Sequence, residues 1–69
     1  MRRINRIKEV LIDKGMSQKE LAALLGKSAN SITAICKNKS QPHLKELRRI
    51  AVILDVDIRD LLISTKPIV

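Results

Sequence analysis

Hydrophobic residues in this chain recur three and four positions apart, which is the spacing of one face of an α-helix. Turn-forming residues at Gly15, at Gly26, at positions 38–42, at positions 55–57 and at Pro67 divide the pattern into short segments. The apolar sets of these segments are, in order, Ile4, Ile7, Val10 and Leu11; Leu21, Ala22, Leu24 and Leu25; Ile32 and Ile35; Leu44, Leu47, Ile50, Ala51 and Leu54; and Ile58, Leu61 and Leu62. The sequence therefore predicts an all-α domain of five short helices.

Capping residues predict where these helices begin and end. Ser17 and Glu20 have the spacing of a capping box at the start of the second helix. Ser28 is suited to cap a third helix over residues 29–37, and Asp57 to cap the short last one. The two glycines supply the left-handed conformation that ends the first and second helices.

The length of 69 residues leaves room for one hydrophobic core. We therefore expect a single domain over residues 1–69, with its core at about 4–63 and a short flexible tail at 64–69. Apolar runs are too short for a membrane span or a signal peptide, so we expect a cytoplasmic protein without membrane contact.

The single cysteine, Cys36, cannot form an internal disulfide, and together with His43 it is too few ligands for a structural zinc site. We therefore expect no metal and no cofactor. The position of Cys36 favours a small buried side chain. The neighbouring Lys37 and Lys39 leave a reactive, redox-sensing thiol as the alternative.

The charge of the chain is unevenly distributed. The formal net charge is +7, and all of it falls in the first two thirds of the sequence. Residues 1–45 contain ten basic and three acidic residues, whereas residues 46–69 contain four of each. Such a surface attracts polyanions, of which nucleic acids and acidic lipid headgroups are the usual ones. Excess lysine that merely keeps the protein soluble is the alternative. The absence of aromatic residues excludes aromatic base-stacking platforms.

The second and third predicted helices are joined by a short turn containing Gly26, which is the arrangement of a helix-turn-helix. On a helical wheel of the third helix, small or basic side chains share one arc opposite the two isoleucines; they are Ala29, Asn30, Thr33, Ala34 and Lys37. Small residues permit close approach to a DNA groove, and asparagine can pair bidentately with adenine. The alternative is that alanine and threonine are only tolerated helix fillers.

Several stretches of the chain resemble one family. These are SQKELAALLGKS at residues 17–28, then Ser31, Ile32 and Ile35, the Asn38-Lys39 turn, Pro42, and residues 44–62 ending in LDVDIRDLL. Together they closely resemble the phage-repressor and Cro-like (XRE) helix-turn-helix domains over about residues 4–63. The resemblance implies a lambda-repressor-like fold of five helices and sequence-specific binding of double-stranded DNA. It also implies a small stand-alone transcriptional regulator, of repressor or Cro type, that binds an inverted repeat as a dimer and associates with the nucleoid.

The resemblance also assigns roles by position. The base-reading positions are those of Ala29, Asn30, Thr33 and Ala34. The phosphate-contacting positions are those of Gln18, Lys27, Ser28, Lys37, Asn38 and Lys39.

Four departures from the family pattern stand out, one of them Asp55 in place of a frequent C-terminal glycine. Ala29 and Ala34 offer no hydrogen bonds, so readout depends on Asn30, on methyl contacts or on DNA shape. Asn38 stands where glycine is common and is tolerated because asparagine adopts the left-handed region. His43 stands where a serine or aspartate cap is usual, which predicts a less firm start to the fourth helix.

Surplus apolar residues near the C-terminus predict a homodimer interface formed by Val52, Ile53, Ile58 and Ile63, with Ile68 and Val69 as further candidates. Fold-back of the tail onto its own subunit is the alternative. No motif places a nucleophile, a general base or a ligand pocket, so we expect no enzyme and no small-molecule partner. The second functional hypothesis is an antitoxin-like or coactivator-like module that uses the same fold to bind a protein.

Overall fold

The computed structural model describes residues 3–66, and within them the chain forms four α-helices and one turn of 3-10 helix. The α-helices are α1 (Ile7–Lys14), α2 (Gln18–Leu25), α3 (Ala29–Cys36) and α4 (Leu44–Leu54), and the 3-10 helix η1 spans Ile58–Leu61. The all-α prediction is confirmed. The fifth predicted helix is instead a 3-10 turn, and α3 ends one residue earlier than predicted, with Lys37 as its C-cap.

Local capping signals account for the helix ends. Ser17 Oγ accepts a hydrogen bond from the Glu20 backbone N–H at 3.0 Å, and Glu20 accepts one from the Ser17 N–H at 3.4 Å. Gly15 and Gly26 have φ values of 68° and 70°, in the left-handed region that a side chain disfavours. The predicted weak start of α4 is wrong, because His43 Nδ1 accepts a hydrogen bond from the Glu46 N–H at 3.2 Å and so acts as a cap.

The core is built from aliphatic side chains of all five elements. Its buried members are Ile7, Val10, Leu11, Leu21, Ala22, Leu25, Ile32, Ile35, Cys36, Leu47, Ile50, Ala51, Leu54 and Leu61. Burying one such large aliphatic side chain contributes about 1.5–3 kcal/mol. Leu24 and Leu44, assigned to apolar faces from the sequence, are instead exposed, because each lies at the margin of its helix's buried arc.

The N-terminal segment differs from the predicted first helix. Ile4 was assigned to the buried stripe of that helix, but α1 begins at Ile7 and Ile4 is 53% exposed. Residues 4–6 instead pair with the end of η1 and the residues that follow it. The Arg6 N–H donates to the Leu61 carbonyl and the Ile63 N–H to the Ile4 carbonyl, both at 2.8 Å. An antiparallel bridge between Asn5 and Leu62 joins the two segments.

Asn38 ties the N-terminal segment to the end of α3. Its Oδ1 accepts from the backbone N–H groups of Ile4 and Asn5 at 2.8 Å each, and its Nδ2 donates to the Asn5 carbonyl at 3.1 Å. The Asn5 side chain donates in turn to the Ile35 carbonyl at 3.0 Å and to Gln41 Oε1 at 2.7 Å. Asn38 has a φ of 60°, as expected for an asparagine at a position where glycine is common. Asn5 and Asn38 are both buried. Their hydrogen bonds join two parts of the chain that are 33 residues apart in sequence.

We predict that Asn38→Ala lowers the free energy of unfolding by about 2–4 kcal/mol, because it leaves two backbone N–H groups without their acceptor. Urea denaturation followed by circular dichroism measures the change. Asn38→Gly loses the same hydrogen bonds but removes the strain of a left-handed alanine, so it should be about 1 kcal/mol more stable than Asn38→Ala.

Lys39→Ala is the control, since Lys39 is the exposed neighbour of Asn38 in the same turn. An Asn38→Ala protein as stable as this control would show that water replaces the amide and that the network is dispensable.

Candidate nucleic-acid interface

The turn between α2 and α3 is fixed by backbone hydrogen bonds and a cap. Directly after Gly26, the Lys27 N–H donates to the Ala22 carbonyl at 2.9 Å, and this hydrogen bond caps the C-terminus of α2. Two residues later, Ser28 Oγ accepts from the Ser31 N–H at 3.1 Å and starts α3. The two short helices therefore meet through a three-residue turn, and they pack closely against each other.

Helix α3 has one buried side and one accessible side. Ile32, Ile35 and Cys36 are buried in the core. The residues assigned to base reading occupy the other side, where Ala29 and Asn30 are exposed and Thr33 and Ala34 are half-buried. None of the eight residues of α3 is charged.

A hydrogen bond links α3 to the start of α2. Thr33 Oγ1 donates to Gln18 Oε1 at 2.9 Å. This bond orients the side-chain amide of Gln18 and leaves the two N–H groups of its Nε2 as donors. A residue assigned to phosphate contact and one assigned to base reading are thus held together across the helix-turn-helix.

A groove of about 470 Å³ runs between α3 and the start of α4. Asn30 and Ala34 line its α3 side, and His43 and Glu46 line its α4 side. Ser31, Ser40 and Gln41 also line the groove, and sequence reasoning assigned no functional role to these three residues, to Glu46 or to His43. A signal existed for Glu46, because its position on the wheel of α4 falls among Leu47, Ile50 and Leu54 on the buried side.

The basic residues assigned to phosphate contact differ in their surroundings. Lys37 and Lys39 are exposed and form no salt bridge within residues 3–66. By contrast, Lys27 Nζ lies 2.9 Å from Glu46 Oε2. The Ser28 hydroxyl is occupied as the cap of α3 and also contacts the Ser31 hydroxyl at 2.9 Å.

Asn38 differs from the other residues assigned to phosphate contact. Its side chain is buried and takes part in four hydrogen bonds, and its backbone N–H donates to the Ile35 carbonyl at 3.0 Å. These contacts direct most of the polar groups of Asn38 at the protein itself, and they hold the N-terminal segment against the end of α3.

Residues 7–61 match the helix-turn-helix family profile, which corresponds to the XRE type. The chain belongs to the XRE helix-turn-helix family. It is also similar to the crystal structure of a candidate DNA-binding protein from Bacteroides fragilis, with 47% sequence identity and a TM-score of 0.86. That likeness covers 87% of this chain and 97% of the other. No curated protein sequence matches the chain.

The four residues predicted to form a dimer interface are not equivalent in this XRE domain. Val52 and Ile63 are accessible, with 68% and 38% of their surface exposed. Ile53 and Ile58 instead pack partly against the core of their own subunit. Ile68 and Val69 lie outside the described residues.

The described residues hold no group of three or more histidine, cysteine, aspartate or glutamate side chains that could bind a metal ion. None of the helices within residues 3–66 has the length and apolar character needed to cross a bilayer. Cys36, at the end of α3, is buried and free, as predicted.

We predict that Cys36 reacts slowly with thiol reagents in the folded protein. Burial raises the pKa of its thiol, an effect that the nearby charge of Lys8 opposes and that of Glu9 reinforces. A raised pKa lowers the thiolate fraction at any given pH, and the thiolate is the reactive form. At about pH 8 the folded protein should therefore react at least about tenfold more slowly than the urea-unfolded chain. Cys36 is the only cysteine, so the signal is unambiguous. Equal rates would favour the redox-sensing alternative.

Proposed function

We propose that this protein is a small transcriptional regulator of repressor or Cro type that binds double-stranded DNA with α3 in the major groove. The observation that supports this most directly is the accessible side of α3. It carries small, uncharged side chains around one exposed amide, Asn30, whereas charged residues are usual on a solvent-facing helix. Membership of the XRE family supports the same proposal, and a helix-turn-helix is a non-enzymatic kind of domain.

Base reading is assigned to four residues of α3. Asn30 can donate to N7 and accept from N6 of one adenine, which distinguishes that base from the other three. Ala29, Ala34 and the methyl group of Thr33 are suited to apolar contact with thymine methyl groups. With only one strong hydrogen-bonding side chain on this arc, DNA shape and deformability contribute to sequence preference.

Phosphate contacts are assigned to the margins of α3. Gln18 offers its Nε2 donors, oriented by the hydrogen bond from Thr33. Lys37 and Lys39, which form no salt bridge within residues 3–66, offer their ammonium groups after the last turn of α3. Ser28, whose hydroxyl is used as a cap, offers its backbone N–H at the positive end of the α3 dipole.

We also propose a homodimer on an inverted repeat. Val52 and Ile63 are the exposed apolar residues of the proposed interface, supported by the partly buried Ile53 and Ile58. A twofold axis through such a patch relates two copies of α3, and recognition of successive major grooves needs them about 34 Å apart.

Selection of bound sequences from a random DNA pool, carried out at two salt concentrations, tests the proposal. We expect enrichment of an inverted repeat, with an affinity that falls linearly with the logarithm of salt concentration. Enrichment of a single half-site would contradict only the dimer. Weak binding without enrichment would favour the protein-interaction module, whose apolar interface responds little to salt.

Two substitutions separate base reading from phosphate contact. Asn30→Ala should cost about 1–3 kcal/mol of binding free energy and relax the preference at one base pair. Lys39→Ala should weaken binding to all sequences alike and reduce the salt slope by about one. Fluorescence anisotropy with operator and scrambled duplexes measures both effects. If Asn30→Ala kept the full sequence preference, the assignment of Asn30 to base reading would be refuted.

A further inference from the structure

We infer that Glu46 limits the sequence-independent affinity of the interface for DNA by keeping Lys27 paired and therefore unavailable to phosphate. This inference rests on the proposed function. Its basis is one ion pair that lies in the groove beside the accessible side of α3.

The Lys27–Glu46 pair joins two different elements of the interface. Lys27 belongs to the turn between α2 and α3, and Glu46 belongs to the first turn of α4. Their charged atoms, Nζ and Oε2, are 2.9 Å apart. Both residues line the same groove as Asn30 and Ala34, so the carboxylate lies where the phosphate-bearing edge of a DNA groove would approach.

Glu46 is positioned through both its side chain and its backbone. Its side chain is 6% exposed and lies on the buried side of α4, next to Leu47 and Ile50. Its backbone N–H donates to His43 Nδ1. The first turn of a helix also favours a negative charge, because the positive end of the helix dipole is there. Glu46 therefore has little freedom to move away from Lys27.

Burial of the carboxylate makes this pair persistent, although the Lys27 side chain is 38% exposed. An exposed ion pair exchanges its partners readily and contributes little. A buried carboxylate that loses its cation is left uncompensated in a poorly solvated place, which is strongly unfavourable. For Lys27 to move to a phosphate, Glu46 would have to remain charged and unpaired beside a polyanion. We therefore assign Lys27 to Glu46 even in the DNA complex, which revises its assignment to phosphate contact.

The consequence is measurable as a salt dependence. Each phosphate neutralised by a cation steepens the slope of log affinity against log salt by about 0.9 for duplex DNA. Lys37 and Lys39 are unpaired within residues 3–66 and contribute to that slope, whereas Lys27 does not.

The test uses Glu46→Gln and a short duplex of scrambled sequence, with affinity measured by fluorescence anisotropy over a series of salt concentrations. Glutamine keeps the shape of glutamate and removes its charge, so Lys27 becomes free to bind phosphate. We expect the slope to steepen by about 0.9 and the affinity to rise about tenfold near 0.1 M salt.

Two further variants make the test specific. Asp13→Asn gives the same change in net charge at an exposed position at the end of α1, and we expect it to leave the slope almost unchanged. The double variant Lys27→Met with Glu46→Gln should return to the slope of the natural protein, because the gain requires Lys27. Glu46→Met serves as a second charge-removing variant should glutamine unfold the domain, since methionine is similar in size and the remaining charge of Lys27, 38% exposed, can be solvated.

The outcomes separate this inference from the proposed function. A steeper slope in Glu46→Gln that is lost in the double variant supports it. A slope equal to that of the natural protein or of Asp13→Asn, or a gain that persists without Lys27, overturns it while DNA binding stands. Failure of the natural protein and of every folded variant to bind any duplex overturns both.

Discussion

The buried side-chain amide of Asn38 is the constraint on which the arrangement of this domain depends. The left-handed turn at Asn38 reverses the chain after α3, so that the Lys39 N–H donates back to the Ala34 carbonyl at 2.9 Å. The same turn directs the amide inward, where it binds the backbone of Ile4 and Asn5. An apolar side chain could fill the space but could not accept from these two backbone N–H groups, of which that of Asn5 is buried. In a core without aromatic residues, the end of α3 is therefore fixed by polar contacts.

The accessible side of α3 is rigid because the helix is held at three points. Ser28 caps its first turn, Thr33 binds Gln18 near its middle, and Asn38 anchors the turn that follows it. Side chains that read DNA need little reorganisation when the backbone and their neighbours are already in place, and less conformational entropy is then lost on binding. This matters for the proposed role of Asn30 as the one strong hydrogen-bonding reader, since small errors in its placement would remove most of its discrimination.

Local signals made much of the fold predictable, and long-range hydrogen bonds account for most of what was missed. Ser17, Ser28 and Gly26 act within four residues of their own position, so their roles follow from spacing alone. Asn5 and Asn38 act across 33 residues, and no periodicity reveals that pairing. For the same reason, Asn38 was assigned to phosphate contact although its side chain is buried. The His43 cap does not follow from residue type, because imidazole is an uncommon acceptor at that position. Apolar periodicity leaves Glu46 out, although its wheel position lies on the buried side of α4.

Salt bridges reduce the number of cations that are available to bind an anion at this interface. The formal charge of +7 counts every lysine and arginine equally, but Arg3, Lys27 and Arg59 each face a carboxylate within salt-bridge distance. The pairs at Arg3 and Arg59 are largely exposed, so a polyanion can compete for their cations at little cost. Only at Lys27 is the carboxylate almost fully buried. Counterion release depends on the cations that reach phosphate. In the proposed DNA complex, the slope of affinity against salt would therefore report those cations rather than the formal charge of the whole chain.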